Sequence, residues 1–87
     1  MSDLKEAVRR SQSGDLEAYG HVVQATQAMA FAAAYTVLRD PGLAEDAVQE
    51  AFLRAFKRLH HLEEPAAFPA WLRRIVITVA MNMRRSH

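Results

Sequence analysis

Cysteine is absent from the 87 residues of this chain, which excludes a disulfide framework and any thiolate metal site. Glycine and proline occur only three times each, so long loops and many tight turns are not expected. No apolar run approaches the roughly 18–20 residues that cross a bilayer. The lack of thiols suits a reducing compartment, and we therefore expect a cytoplasmic protein with no membrane partner.

Acidic residues are missing from the C-terminal quarter of the chain. All ten acids lie at or before Glu64, whereas residues 65–87 carry four arginines, although the net charge of the whole chain is only +1. Such segregation predicts two opposed surfaces on one molecule, each with its own partner.

The groups that an enzyme needs are also lacking. The four serines lie near predicted helix ends, and no glycine-rich phosphate loop is present. His60 and His61 are the strongest candidates for metal ligands, but adjacent residues of a helix do not share a face and cannot chelate one ion together. We expect no catalytic residue, no metal and no cofactor.

Hydrophobic residues recur at helical spacing in four stretches of the chain. The stretches cover about residues 3–13, 16–38 and 43–60, and a last one that begins between residues 65 and 69. An Asp-Pro-Gly triplet at positions 40–42 separates the second stretch from the third. We therefore predict an all-α fold, a compact bundle of about four helices in one domain.

Local signals refine these boundaries. Ser2 or Asp3 is expected to cap the first helix, Gly14 to end it and Asp15 to cap the second. Gly20 should weaken the second helix by about 1 kcal/mol relative to alanine, unless it permits close packing.

The apolar stripes of these helices define the candidate core. In the second stretch they are Leu16, Tyr19, Val22, Val23, Met29, Ala30, Ala33, Val37 and Leu38. In the third they are Ala44, Ala47, Val48, Ala51, Phe52, Ala55, Phe56 and Leu59. In the fourth they are Phe68, Trp71, Leu72, Ile75, Val76, Val79, Ala80 and Met83. The alternative for Trp71 is a second role in stacking on a base of single-stranded DNA.

Two outward faces remain. The third helix presents Asp46, Gln49, Glu50, Leu53 and Lys57 on its outward face. Its bases Arg54, Lys57 and Arg58 lie toward the C-terminus, where they complement the helix dipole. Leu53, a large apolar residue outside the stripe, is either an ordinary exposed leucine or the centre of a protein interface.

The outward face of the fourth helix presents Arg73, Arg74, Thr78, Asn82 and Arg85. That face is either a solvated basic surface or a binding surface for phosphates and base edges.

The motifs themselves resemble a known family. Residues 40–56, which contain Glu-Asp-Ala-Val-Gln-Glu-Ala-Phe, resemble the core-binding segment (region 2.2) of the sigma-70 family, and above all its extracytoplasmic-function group. Residues 67–76 are similar to regions 2.3 and 2.4, and residues 13–19 to the opening of the domain. The resemblance covers nearly the whole chain, residues 1–87, in the expected order.

The resemblance implies a helical region 2 fold and a function in transcription initiation. It implies that the clamp helices of the RNA polymerase β′ subunit contact Asp46, Gln49, Glu50 and Leu53. It also implies that the promoter −10 element, mainly as a single strand, contacts Arg73, Arg74, Thr78, Asn82 and Arg85, with His61, Leu62 and Glu63 in the preceding loop. An anti-sigma factor is a further partner that the family suggests.

Some positions depart from the family pattern. Glu63 and Glu64 lie in a loop that often carries glycine and a basic residue, Arg73 stands where an aromatic residue is common, and Thr78 stands where asparagine is common. The chain stops at His87, before the second DNA-binding domain of such proteins, so we expect either an excised domain or a shortened relative. The second hypothesis is therefore a protein-interaction module, a polymerase decoy or an anti-sigma partner, without promoter activity.

Overall fold

The chain forms a helical bundle. The computed structural model describes residues 3–86. Its elements are α1 (Leu4–Gln12), α2 (Leu16–Leu38), α3 (Pro41–Arg58), two short 3-10 turns (Leu59–His61 and Pro65–Ala67) and α4 (Phe68–Ser86). Residues 3–86 contain no β-strand. The predicted all-α fold with about four helices is confirmed.

The α2 helix is the axis of the bundle. Its 23 residues span about 35 Å at 1.5 Å per residue, close to the longest dimension of the molecule, 37 Å. The other three helices all pack against α2, and α4 also packs against α3. No helix within the described residues combines the length and apolar character needed to cross a membrane.

The predicted caps account for the turn between α1 and α2. The Asp3 side chain accepts a hydrogen bond from the Lys5 amide, whereas Ser2 lies outside the described residues. Gly14 ends α1 with φ +100°, a left-handed conformation that glycine adopts without strain. Asp15 caps α2 by accepting from the Ala18 amide at 3.0 Å, and this hydrogen bond, reinforced by Arg10, lowers the pKa of the Asp15 carboxyl.

The α3 helix begins at Pro41, two residues before the predicted start at Leu43. Asp40 is its N-cap, with its Oδ1 accepting from the Leu43 amide at 2.9 Å. Proline suits the first helical position because its missing amide hydrogen would have no partner there. The Asp-Pro-Gly triplet thus forms the start of α3 and is not only a break between two helices.

The core combines large side chains from α1, α2 and α4 with small side chains from α3. The largest fully buried residues are Phe68, Leu72, Val8, Val22 and Val76. The α3 helix offers them mainly alanines, of which Ala44, Ala47, Ala51 and Ala55 have no exposed surface. Short side chains on α3 let its neighbours approach closely, and the long side chains of α4 fill the remaining space.

The structure also decides the role of Gly20. A Cβ added at Gly20 would meet no atom within 4 Å, so close packing does not require glycine there. We expect Gly20→Ala to raise the free energy of unfolding by about 0.5–1 kcal/mol through helix propensity. We expect Gly14→Ala, the control at positive φ, to lower it by about 1–2 kcal/mol. Urea denaturation measures both, and a destabilising Gly20→Ala would contradict the assignment.

Candidate functional site

The predicted protein-contact residues of α3 share one solvent-facing side. Asp46, Gln49, Glu50 and Leu53 are all exposed, and Leu53 keeps 59% of its surface accessible. We call these four residues the outer face of α3. Exposure leaves them available to a partner, while their role as a contact stays a prediction.

An apolar groove runs beside the outer face, between α2 and α3. It has a volume of about 550 Å³ and is lined by Leu16, Tyr19, Val23, Gln27, Val48, Gln49, Phe52, Leu53 and Phe56. Gln49 and Leu53 of the outer face are thus also part of the groove wall. The groove joins the two exposed residues to a concave, largely apolar surface that a partner helix could fill.

Two residues predicted for the core lie at the rim of this groove instead. Phe56 is 41% exposed and Leu16 is 68% exposed, so the prediction that both are buried is wrong. Phe56 lies at the margin of the α3 stripe and contacts the Tyr19 ring with a centroid distance of 5.0 Å. Leu16 is the first residue of α2, beyond the reach of a covering helix.

Tyr19 fixes the wall of the groove. Its hydroxyl donates a hydrogen bond to the Phe52 carbonyl oxygen at 2.6 Å, which ties α2 to α3. Burial raises the pKa of Tyr19 to about 12, so the phenol stays protonated and can donate at neutral pH. The sequence pattern placed Tyr19 in the core, and its part in an exposed groove required the positions of both helices.

The arginines of α4 lie along two edges of the helix rather than along one. Residues 11 positions apart differ by only about 20° around a helix, whereas adjacent residues differ by about 100°. Arg73 therefore shares an edge with Arg84, and Arg74 shares another edge with Arg85. Thr78 lies near the second edge, since Arg74 and Thr78 line the same cavity against α3.

The two predicted surfaces are neighbours, not opposites. One shallow cavity is lined by Asp46, Glu50 and Arg54 of α3 together with Asn82, Met83 and Ser86 of α4. The expectation of two opposed surfaces is therefore wrong, because α4 packs directly along α3. Within this cavity Asn82 accepts a hydrogen bond from the Arg85 guanidinium, which holds two predicted DNA contacts together.

The loop between α3 and α4 presents only part of its predicted contact set. His61 and Glu63 are exposed, but Leu62 is only 8% exposed and belongs to the hydrophobic core. The Leu62 side chain therefore cannot contact DNA in this conformation. Glu64 accepts a hydrogen bond from the Ala66 amide at 3.1 Å, so one of the two loop acids caps the second 3-10 turn.

Gln12 of α1 holds this loop in place. Its Nε2 atom donates to the carbonyl oxygens of Leu59 at 3.0 Å and Leu62 at 2.8 Å. Both carbonyls belong to the turn that follows α3, where the carbonyl oxygen of Leu59 also accepts from the Leu62 amide at 3.1 Å. Sequence patterns gave no sign of this contact, because Gln12 is 47 and 50 residues away along the chain.

Metal binding has no support in the described part of the chain. Residues 3–86 contain no group of three or more histidine, cysteine, aspartate or glutamate side chains that could hold an ion. His60 and His61 contact each other, with ring centroids 4.1 Å apart, at an exposed turn.

Comparisons of the sequence with known proteins find related proteins. A family model described as Sigma-70 region 2 matches residues 22–87. The probable RNA polymerase sigma factor RfaY of Xanthomonas campestris pv. campestris is 42% identical over 84 residues, covering 97% of this chain and 21% of that protein. The RNA polymerase sigma-H factor of Pseudomonas aeruginosa is 33% identical, covering 90% of this chain and 40% of that protein.

A third relative is the ECF RNA polymerase sigma factor SigW of Bacillus subtilis, which is 27% identical over 94% of this chain and 44% of its own length. The chain thus spans less than half the length of each of these relatives. No solved structure gave a significant match.

The two hydrogen bonds of Gln12 lead to a direct test. We expect Gln12→Ala to lower the free energy of unfolding by about 1–2 kcal/mol, because both carbonyls lose their side-chain donor and that of Leu59 keeps only the Leu62 amide. Amide hydrogen exchange at residues 59–64 should become faster than in the parent chain. Gln24→Ala removes an exposed amide from α2 and serves as control. Unchanged exchange in Gln12→Ala would show that α1 does not hold the loop.

Proposed function

The chain belongs to the sigma-70 family, as a region 2 domain, and from this premise we propose that it acts in transcription initiation by binding RNA polymerase core and promoter DNA. We assign the chain no catalytic step, so its proposed function consists of binding alone. A protein with this function acts where RNA polymerase is, in the cytoplasm.

The polymerase contact that we propose consists of the outer face of α3 and the adjoining apolar groove. The observation that carries it is the exposure of Leu53, 59%, at the edge of a groove whose rim also exposes Phe56 and Leu16. Apolar residues exposed together on neighbouring helices favour a protein partner. A groove between two helices suits a helix, which is the form of the β′ clamp that the family implies.

Charges around the groove add specificity to this contact. Asp46 and Glu50 lie on the side of the outer face away from α2, where they border the cavity shared with α4. Acids at the rim of an apolar contact favour a basic partner and speed the encounter, while the buried centre contributes most of the affinity.

Promoter DNA is the second partner that we propose, on α4 and the loop before it. Arg74, Arg85 and Thr78 share one side of α4, and Asn82 lies beside Arg85. One guanidinium group can donate to two phosphate oxygens at once, so these arginines suit the phosphate backbone of a single DNA strand. Leu62 is omitted from this contact because it is buried.

The alternative, a decoy or anti-sigma partner without promoter activity, rests on the acids of the loop. Glu64 has a structural role because its carboxylate accepts from the Ala66 amide and caps the second 3-10 turn, while the side chains of both Glu63 and Glu64 are exposed. Binding of a single-stranded −10 oligonucleotide separates the two functions. Promoter activity predicts that log K falls with log salt by about 0.7 for each phosphate bound, whereas a flat dependence supports the decoy.

The polymerase contact is tested by a double variant. We expect Gln49→Ala with Leu53→Ala to weaken binding of the chain to core RNA polymerase by about 30-fold, because a hot spot contributes about 2 kcal/mol or more. The control, Gln24→Ala with Met81→Ala, removes an exposed amide and a 42% exposed apolar residue elsewhere. Competition binding measures both, and equal affinities for the two double variants would contradict the assigned surface.

A further inference from the structure

The exposed side of α3 carries opposite charges at its two ends. Asp46 and Lys57 are both exposed and 11 residues apart, so they differ by only about 20° around the helix and lie along one edge. Leu53, which is 59% exposed, lies between them, seven residues after Asp46. An acid, a large apolar residue and a base therefore follow one another along a single solvent-facing stripe.

Neither of these two charges has a partner within the chain. No salt bridge among residues 3–86 includes Asp46 or Lys57, and the neighbouring acid Glu50 pairs instead with Arg54 at 3.0 Å. The two charges cannot pair with each other, because 11 residues of helix separate them by about 16 Å. A partner with a base and an acid at this same spacing would neutralise both.

A second copy of α3 in the antiparallel orientation has this spacing. A two-fold axis midway between residues 51 and 52 sets Asp46 of each copy opposite Lys57 of the other, since both are equally far from the axis. The two Leu53 side chains are then offset by about 4.5 Å along the helix, less than one turn. Parallel packing would instead set each of these charges against its own kind.

The same register covers exposed apolar surface. Leu53 of each copy comes to lie beside Gln49 and Leu53 of the other, at the wall of the apolar groove between α2 and α3. Phe56 is 41% exposed, one turn after Leu53 on the groove side, and loses part of that exposure as well. Few large apolar residues contribute from each copy, so the contact belongs to the small, weak class of interfaces.

We propose that the chain forms a two-fold symmetric dimer through antiparallel packing of α3 on α3, with two Asp46–Lys57 ion pairs on either side of a Leu53 centre. The dimer itself does not depend on the proposed function. Its consequence does rest on that function: Gln49 and Leu53 are covered, so a chain within the dimer cannot use them to bind polymerase. Self-association then holds the domain in a form that does not engage polymerase.

Sedimentation equilibrium of the parent chain tests the dimer, and we expect a dissociation constant on the order of 100 µM. Asp46→Lys and Lys57→Glu should each raise it at least about tenfold, because two like-charge contacts replace the two ion pairs. Lys5→Glu reverses an exposed charge on α1 and serves as control, with a change below about twofold. A parent chain that stays monomeric up to about 1 mM would overturn the proposal.

Mixing the two single variants tests the antiparallel register. The Asp46→Lys chain has lysine at both positions and the Lys57→Glu chain has acids at both, so each repels itself and attracts the other. We expect the equimolar mixture to form a heterodimer with the parent affinity to within about threefold. A mixture of Asp46→Lys with Lys5→Glu should remain monomeric. A loss of folding in either variant would not be rescued by mixing, so failure of the heterodimer to form would reject the register.

The outcomes separate this inference from the proposed function. Above the dissociation constant, the free monomer grows only as the square root of the total chain, and occupancy of core RNA polymerase should follow the same law. If the chain dimerises but does not bind core, the polymerase contact fails and the dimer stands. If it binds core and remains monomeric, the dimer is rejected and the polymerase contact stands. Occupancy that follows the total concentration of a dimerising chain would show that the dimer leaves the polymerase contact open, contrary to the proposal.

Discussion

The close packing of the alanine face of α3 is the constraint on which the rest of the structure depends. Ala44, Ala47, Ala51 and Ala55 have no exposed surface, and their short side chains bring α2 and α4 against α3 on two sides. A bulkier residue at any of them would force the helices apart. Because α3 sits between two neighbours, each of its edges borders a concave surface.

Those two edges differ in chemistry, and the sequence of α3 explains the difference. The edge toward α2 carries Gln49, Leu53 and Phe56 and borders the apolar groove. The edge toward α4 carries Arg54 and Arg58 and borders a cavity of about 250 Å³ that Arg74 of α4 also lines. An ion pair of 3.0 Å between Glu50 Oε2 and Arg54 Nε joins the outer face to this cavity. In the proposed function, polymerase and DNA would therefore meet the domain side by side.

Helical periodicity predicted the fold because each helix has one continuous apolar stripe and a clear cap. The same periodicity failed for Leu16 and Phe56, since it identifies a face of a helix but not how far the neighbouring helix covers that face. It correctly placed Arg58 in the last turn of α3 but gave no sign that Arg58 also lines a cavity against α4, because one helix does not tell which of its edges a second helix will approach. The two errors and this omission lie at the margins of stripes, where tertiary packing decides exposure.

Contacts between distant residues were beyond any pattern in the sequence. Gln12 donates hydrogen bonds to the Leu59 and Leu62 carbonyl oxygens, and the Tyr19 hydroxyl donates one to the Phe52 carbonyl oxygen. The partners of these hydrogen bonds lie 33 to 50 residues apart along the chain. Both contacts shape surfaces on which the family resemblance predicts contacts with partners. The burial of Leu62 shows the limit of such transfer, because a residue of the expected loop turned out to belong to the core.

If polymerase binds the outer face of α3 and promoter DNA binds α4, chemical-shift mapping will separate the two contacts residue by residue. The isotope-labelled chain would be titrated in parallel with single-stranded DNA and with the clamp-helix fragment of the polymerase β′ subunit. We expect single-stranded DNA to shift the signals of Arg74, Thr78 and Arg85, and the clamp fragment to shift those of Gln49, Leu53 and Phe56. A single set of residues that responds to both partners would rule out two separate contacts.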